Sequence, residues 1–229
     1  MIKDYLNIKF IDMLKKVIII ALIAVVVTGC ENNTKTTEET TQTAKLEKSA
    51  DSENQLQPEI LVFHKTLSLQ NISFDISSTG EGSIQQLTIQ TNGLKGNEQT
   101  INIEIEGSVT NAEIEDLNSD GYPELLIYTA SAGSGSYGNV IGYSVNGGKS
   151  ISPIYFPDVS ENPKANKGYM GHDEFAIAQT TLVQRFQTYK EGDVNAQPTG
   201  TMREIHYKLV DGEASRKFVV DKILEYPAE

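Results

Sequence analysis

Apolar and polar residues alternate along most of the chain after residue 58. Ile72, Phe74 and Ile76 are separated by Ser73 and Asp75, and Leu87 and Ile89 sit among Gln86, Thr88 and Gln90. Ile101, Ile103 and Ile105 alternate with Asn102, Glu104 and Glu106, and Ile205, Tyr207 and Leu209 with Glu204, His206 and Lys208. A period of two sends one set of side chains to a buried face and the other to water, so each stretch is read as a half-buried strand. Leu125-Leu126-Ile127-Tyr128 and Val140-Ile141-Gly142-Tyr143-Ser144-Val145 are read as two further strands. Turn residues punctuate the series at Thr79-Gly80-Glu81-Gly82, Asn92-Gly93, Asn146-Gly147-Gly148 and Asp211-Gly212, the last joining two strands into a hairpin. Residues 162–171 show no period and read as a long surface loop. No long 3.6-residue period competes. The pattern predicts an all-β domain over residues 58–229, an antiparallel β-sandwich or flattened barrel of about eight to ten strands.

Two segments precede that domain. Met13-Leu14-Lys15-Lys16 is a short basic start, residues 17–27 are unbroken apolar, and Val27-Thr28-Gly29-Cys30 follows. An apolar run of about a dozen residues is too short for a comfortable membrane span and has the build of an export signal. Small residues before a cysteine look like a bacterial lipobox. Residues 1–29 are therefore expected to be a lipoprotein signal peptide, with the Cys30 thiol carrying the lipid; Met13 is an alternative start. Glu31, rather than the aspartate that retains enteric lipoproteins at the inner membrane, points to the outer membrane facing the periplasm. Residues 30–57 are rich in Thr, Glu, Lys, Asn, Ser and Gln and carry too little apolar surface to offset chain entropy, so they are expected to be a disordered tether. Cys30 is the only cysteine, which rules out an intramolecular disulfide.

Charge narrows the partners. The formal net charge is −12. Removing residues 1–29 takes away four lysines (Lys3, Lys9, Lys15, Lys16) and two acids (Asp4, Asp12), leaving −14. That disfavours nucleic acid, leaves the lipidated cysteine as the only membrane contact, and favours cationic partners; acidity also serves solubility alone. The open edges of such sheets could also pair two copies as a dimer.

Two loops carry candidate chemistry. Asp116, Asn118, Asp120 and Glu124, with the Tyr122 carbonyl, form an oxygen-rich turn around Gly121 in the spacing D-x-N-x-D-G-x-x-E. Hard cations take six to eight oxygens, so the turn is a candidate structural Ca²⁺ site; short Asx-turns bridging two strands would use the same residues. The pattern occurs once, which excludes a propeller, and Ile127 stands where an EF-hand needs glutamate. The second loop, residues 130–138, is almost all small residues around Tyr137. A tyrosine at the tip gives a rigid amphipathic contact at low entropy cost. Such a loop could enter a cleft, or fold back onto its own sheet.

Ser134-Gly135-Ser136-Tyr137 resembles the S-G-x-Y loop of bacterial periplasmic lysozyme inhibitors. The acidic turn before it and the run Ser131-Ala132-Gly133-Ser134-Gly135-Ser136-Tyr137-Gly138 are most similar to inhibitors of I-type (invertebrate) lysozyme. Arg185-Phe186, Tyr189-Lys190, Gly192-Asp193, Asn195, Pro198-Thr199-Gly200, Arg203 and Tyr207 fit the same family. The resemblance spans residues 61–226. It implies an inhibitor, not an enzyme, whose loop enters the lysozyme cleft to protect peptidoglycan. Ser134 and Tyr137 would make the contacts, Gly135 would give backbone room, and no cofactor would be required. The lipoprotein leader departs from a soluble export signal. A −14 protein would be steered toward cationic lysozymes.

Two other classes compete. A calcium-stabilised glycan- or protein-binding surface module would rest on Asp116, Asn118 and Asp120. A hydrolase would need a nominated residue set, and none stands out: Ser131 lacks the Gly-x-Ser-x-Gly elbow, and no carboxylate pair is singled out. His64, His172 and His206 show no metal-ligand spacing and read as structural or exposed, His206 on the polar face of its strand. His172-Asp173-Glu174 reads as the charged start of a strand. Arg185 and Arg203 read as a salt-bridged sheet face.

Overall fold

A computed structural model describes residues 60–228. The expected signal peptide, Cys30 and the tether lie outside the described residues. Met1–Pro58 and Glu59–Glu229 separate as two units, and only the second is treated below.

Its twelve strands form three sheets of four. The first holds β1 (Leu61–Leu69), β2 (Ile72–Thr79), β3 (Ile84–Asn92) and β4 (Thr100–Glu106). The second holds β5 (Ser108–Glu115), β6 (Glu124–Ala130), β7 (Gly138–Asn146) and β8 (Ser150–Ile154). The third holds β9 (Glu174–Ala178), β10 (Thr181–Gln187), β11 (Met202–Val210) and β12 (Lys217–Tyr226), in the order β12-β11-β10-β9. Every neighbouring pair within a sheet is antiparallel. The sheets stay open, so the sandwich is realised and the barrel is not. More strands form than the period-two stretches predicted, because β1, β8, β9 and β10 carry weak alternation.

The second sheet is the middle layer. Leu125 and Ile127 of β6 join Phe74, Ile76, Leu87 and Ile89 of the first sheet in one core. Leu126 and Tyr128, one residue out of step, join Phe175, Leu182, Phe186, Ile205 and Tyr207 of the third sheet in another. A strand buried on both faces has no polar face to alternate with, which explains the continuous run from Leu125 to Tyr128. Both cores are built wholly from residues 63–223, so the Glu59–Glu229 unit carries its own interior. The chain passes from the first sheet to the second through Gly107 alone. Its φ is +94° and a Cβ there would lie 2.1 Å from the Ala130 carbonyl oxygen, so only glycine fits the corner.

The connection after β8 holds a 3₁₀ turn (Val159–Glu161) and one short helix, α1 (Pro163–Asn166). The surface loop expected over 162–171 is therefore partly helical and pinned. Asn162 caps α1 through the amides of Lys164 and Ala165, and Arg203 donates to the carbonyls of Ala165 (2.8 Å) and Lys167.

Candidate functional site

The loop between β6 and β7 is held from three directions. From within, the Ser136 amide donates to the Gly133 carbonyl at 3.0 Å and the Ser131 amide to the Tyr137 carbonyl at 2.9 Å. The Ser131 hydroxyl accepts the Tyr137 amide at 2.9 Å. From the segment before β9, the His172 amide donates to the Gly135 carbonyl at 2.7 Å. Gly171 permits that approach: its φ is +84° and a Cβ there would sit 2.1 Å from the Gly135 oxygen. From the β10–β11 connection, the Asn195 side-chain Nδ2 donates to the Ser134 carbonyl at 2.6 Å. Tyr189 steadies that donor through its hydroxyl, 2.6 Å from the Asn195 carbonyl. Asn195 and Tyr189 both belong to the later run quoted for the resemblance.

This bracing leaves Ser134 exposed and Tyr137 48% exposed, while Gly135 is buried. Ser136 takes a positive φ of 42°, and a Cβ on Gly135 would meet the Tyr137 ring at 2.4 Å. The Tyr137 ring packs edge-on against Tyr169, with centroids 5.7 Å apart. Four consecutive residues are therefore held in one shape, with a hydroxyl and an aromatic ring facing outward.

Asp173 anchors the base of the loop, a role that the charged string around it concealed. Its Oδ2 accepts the Gly138 amide at 2.7 Å and the Tyr169 hydroxyl at 2.6 Å. Its Oδ1 accepts the Gln184 side chain at 2.6 Å, and Gln184 in turn accepts the Tyr207 hydroxyl at 2.6 Å. Burial pushes the Asp173 carboxyl above its usual range, opposed by the bonds from Tyr169, Gly138 and Gln184. Burial and the neighbouring Asp173 charge push the Tyr169 phenol upward as well.

The acidic turn spends its oxygens internally. Asp116 accepts the amides of Asp120 (3.0 Å) and Gly121 (2.9 Å), Asn118 accepts the Asp120 amide (3.0 Å), and Asp120 accepts the Tyr122 amide (2.9 Å). Glu124, fully buried, accepts the Ser144 hydroxyl (2.7 Å) and the Leu117 amide (2.8 Å). Arg216, far away in sequence, lies 2.6 Å from Asp120 and 3.2 Å from Glu124 and also donates to Ser144. Burial raises the Glu124 carboxyl, while Ser144, Leu117 and Arg216 oppose it. Asp116, Asn118 and Asp120 thus form an Asx-type lattice, and Arg216 bridges Asp120 to the buried Glu124. A Ca²⁺ ion would have to displace these bonds. Among the described residues, no group of three or more His, Cys, Asp or Glu side chains is arranged to hold a metal ion.

The third sheet carries a buried ionic row. Glu204 lies 3.0 Å from Arg185, 2.6 Å from His206 and 3.1 Å from the Tyr226 hydroxyl. Arg203 pairs with Glu225 at 2.6 Å, so the two arginines do line a salt-bridged sheet. His206 is not on a solvent face: it is 3% exposed, and its strand is buried from Arg203 to Tyr207. His64 is exposed and pairs with Asp75 at 2.8 Å, while His172 is exposed and stacks on Tyr189.

Neither known protein families, nor curated proteins, nor solved structures include one that this chain matches.

Proposed function

We propose that the domain is a lysozyme inhibitor that inserts the Ser134-Gly135-Ser136-Tyr137 loop into the active-site cleft of a lysozyme, with I-type lysozyme as the target. One observation carries the reading: the loop is fixed by hydrogen bonds to His172, Asn195 and Ser131, yet presents Ser134 and Tyr137 outward. A loop ordered before binding loses little conformational entropy on entering a cleft. An exposed tyrosine on a rigid support is the kind of anchor that dominates interface energies. The formal charge of −14 after removal of residues 1–29 supports a cationic target. In this proposal the protein is not an enzyme. It is anchored in the bacterial envelope through lipidated Cys30, on the outer membrane facing the periplasm, and protects peptidoglycan there. The proposal requires no cation in the turn around Asp120, whose oxygens already accept backbone amides and the Arg216 guanidinium.

The test is substitution at the tip. Tyr137→Ala and Ser134→Ala should each weaken inhibition at least tenfold. Tyr137→Ala should cost no more than about 3 kcal/mol of stability, one edge-on aromatic pair plus the burial of about half a ring. Full inhibition by both folded variants would remove the loop from the mechanism.

A further inference from the structure

Met170 and Val194 hold large apolar side chains in water, at 40% and 60% exposure, on two separate connections. No strand pattern requires them: Met170 precedes β9, and Val194 lies between β10 and β11. Neither belongs to a core. Single exposed apolar residues are ordinary on a protein surface, but these two adjoin the residues that brace the Tyr137 loop. Met170 is followed by Gly171, where a Cβ would lie 3.2 Å from the Tyr137 ring, and then by His172, whose amide holds Gly135. Val194 is followed by Asn195, whose side chain holds Ser134. With Tyr137, at 48% exposure, each of the three connections that meet here carries one exposed apolar group.

The three connections are also tied to one another. The Tyr189 amide donates to the Gly168 carbonyl at 2.8 Å, its hydroxyl donates to the Asn195 carbonyl at 2.6 Å, and its ring stacks on His172 with centroids 6.4 Å apart. Val194 sits in a turn closed by Asp193, which accepts the Lys190 amide at 2.7 Å and the amide and hydroxyl of Thr199 at 2.8 Å each. The Val194 carbonyl accepts the Gln197 amide at 2.9 Å. An apolar side chain on a free loop can turn away from water. On a backbone pinned in this way it stays presented, and its ordering cost is met before any partner arrives. Apolar side chains grouped about an aromatic one have the composition of an interface centre, and the flexible thioether of methionine adapts to an irregular surface.

We infer that Met170 and Val194 form an apolar collar around the Tyr137 loop and seat on an apolar lip of the cleft that the loop enters. The inference rests on the proposed function and names a second contact with the same partner. The loop fills the cleft, and the collar closes its mouth, excluding water from the hydrogen bonds that Ser134 makes inside. This contact is apolar, so its share of the affinity resists salt, unlike the steering that comes from net charge.

The test titrates purified I-type lysozyme calorimetrically with the Glu59–Glu229 unit, at low salt and at about 0.5 M NaCl. The collar variant is Met170→Gln with Val194→Thr, which keeps shape and charge and removes apolar surface. The control is Leu61→Gln with Val62→Thr at the start of β1, where exposure is similar at 58% and 47%. Neither pair belongs to a core, so all three forms should melt alike. We expect the collar variant to bind about tenfold more weakly than the wild type at both salt concentrations, with a smaller negative heat-capacity change, and the control to stay within about twofold. Binding by the collar variant within about twofold of the wild type would overturn the inference and leave the loop reading intact. Equal losses in the collar variant and the control would also overturn it. Absence of binding by the folded wild type would sink the loop reading, and the collar with it.

Discussion

Replacing Asp173 tests whether the loop is held by its base. Its carboxylate accepts from three separate segments: the Gly138 amide (2.7 Å), the Tyr169 hydroxyl (2.6 Å) and the Gln184 side chain (2.6 Å). Asp173→Ala strands all three donors. A fully buried donor without an acceptor costs about 1–3 kcal/mol; Gln184 is buried but Gly138 and Tyr169 are half-buried, so about 3–9 kcal/mol is an upper bound for the three. Two effects reduce that. Alanine leaves room for water to serve some donors, and a charge that burial already penalises disappears. The expected net loss is about 3 kcal/mol, a fall of about 1.5 M in the urea midpoint for a slope of about 2 kcal/mol/M. Asp173→Asn should behave differently. Its single oxygen can still accept from Gly138 and Tyr169, and Gln184 can turn its own oxygen toward the new amide while its nitrogen meets the Tyr207 oxygen. That variant should lose about 1 kcal/mol or less. The assay is urea unfolding of the Glu59–Glu229 unit together with hydrogen exchange at the Gly138 amide, which should quicken at least tenfold in the alanine variant. Because the folded-state pKa is raised, the folded protein holds this proton more tightly than the unfolded chain. The resulting stabilisation is fully present below the unfolded value of 3.8 and is lost as pH rises through the folded one. Wild type should therefore gain on the asparagine variant as pH falls into that window. An alanine variant within about 1 kcal/mol of wild type, with Gly138 protection unchanged, would refute this account of the loop.

Other outcomes follow from the same contacts. Arg216→Met should destabilise by about 3 kcal/mol, because it leaves Glu124 buried without its cation. Millimolar Ca²⁺, or a chelator, should leave the wild-type Tm unchanged; a rise of several degrees with Ca²⁺ would show that the turn prefers the ion to its own hydrogen bonds. Glu204 is held down to about 2, mainly by His206 and then by Arg185 and Tyr226 against the cost of burial. Its contribution, up to roughly 3 kcal/mol, should be present above pH 4.5 and lost as pH falls toward 2, and Glu204→Gln should flatten that limb of the stability curve. Gly171→Ala, which would place a Cβ 2.1 Å from the Gly135 oxygen, should displace the loop and weaken inhibition more than it lowers Tm, measured on the same sample.

Much of the fold was legible because three strands of the first sheet bury one face and wet the other. The strands around Phe74, Leu87 and Ile103 alternate in sequence as they do in burial. The middle layer was legible only as strands. Nothing in Leu125-Leu126-Ile127-Tyr128 says that its two faces serve different cores, since continuous apolar sequence fits any fully buried strand. Glu204 and His206 misled for the converse reason: polar residues in alternation read as a wet face, whereas here they satisfy one another inside the protein. The exposed tip of the candidate site, Ser134 and Tyr137, was visible in its composition. Its supports were not. Asp173 reaches Gly138 across 35 positions, Asn195 reaches Ser134 across 61, and Arg216 reaches Glu124 across 92. Such pairings follow from the stacking of three sheets, which no local pattern encodes. Local charge patterns also made Asp173 look like part of the charged start of a strand.

The central claim is that this domain blocks a lysozyme with its Tyr137 loop. It is tested most directly by titrating the Glu59–Glu229 unit into purified I-type, chicken-type and goose-type lysozymes while following cell-wall lysis. The account predicts stoichiometric loss of I-type activity, with the other two types unaffected. Undiminished lysis by all three, in the presence of folded domain, would contradict it.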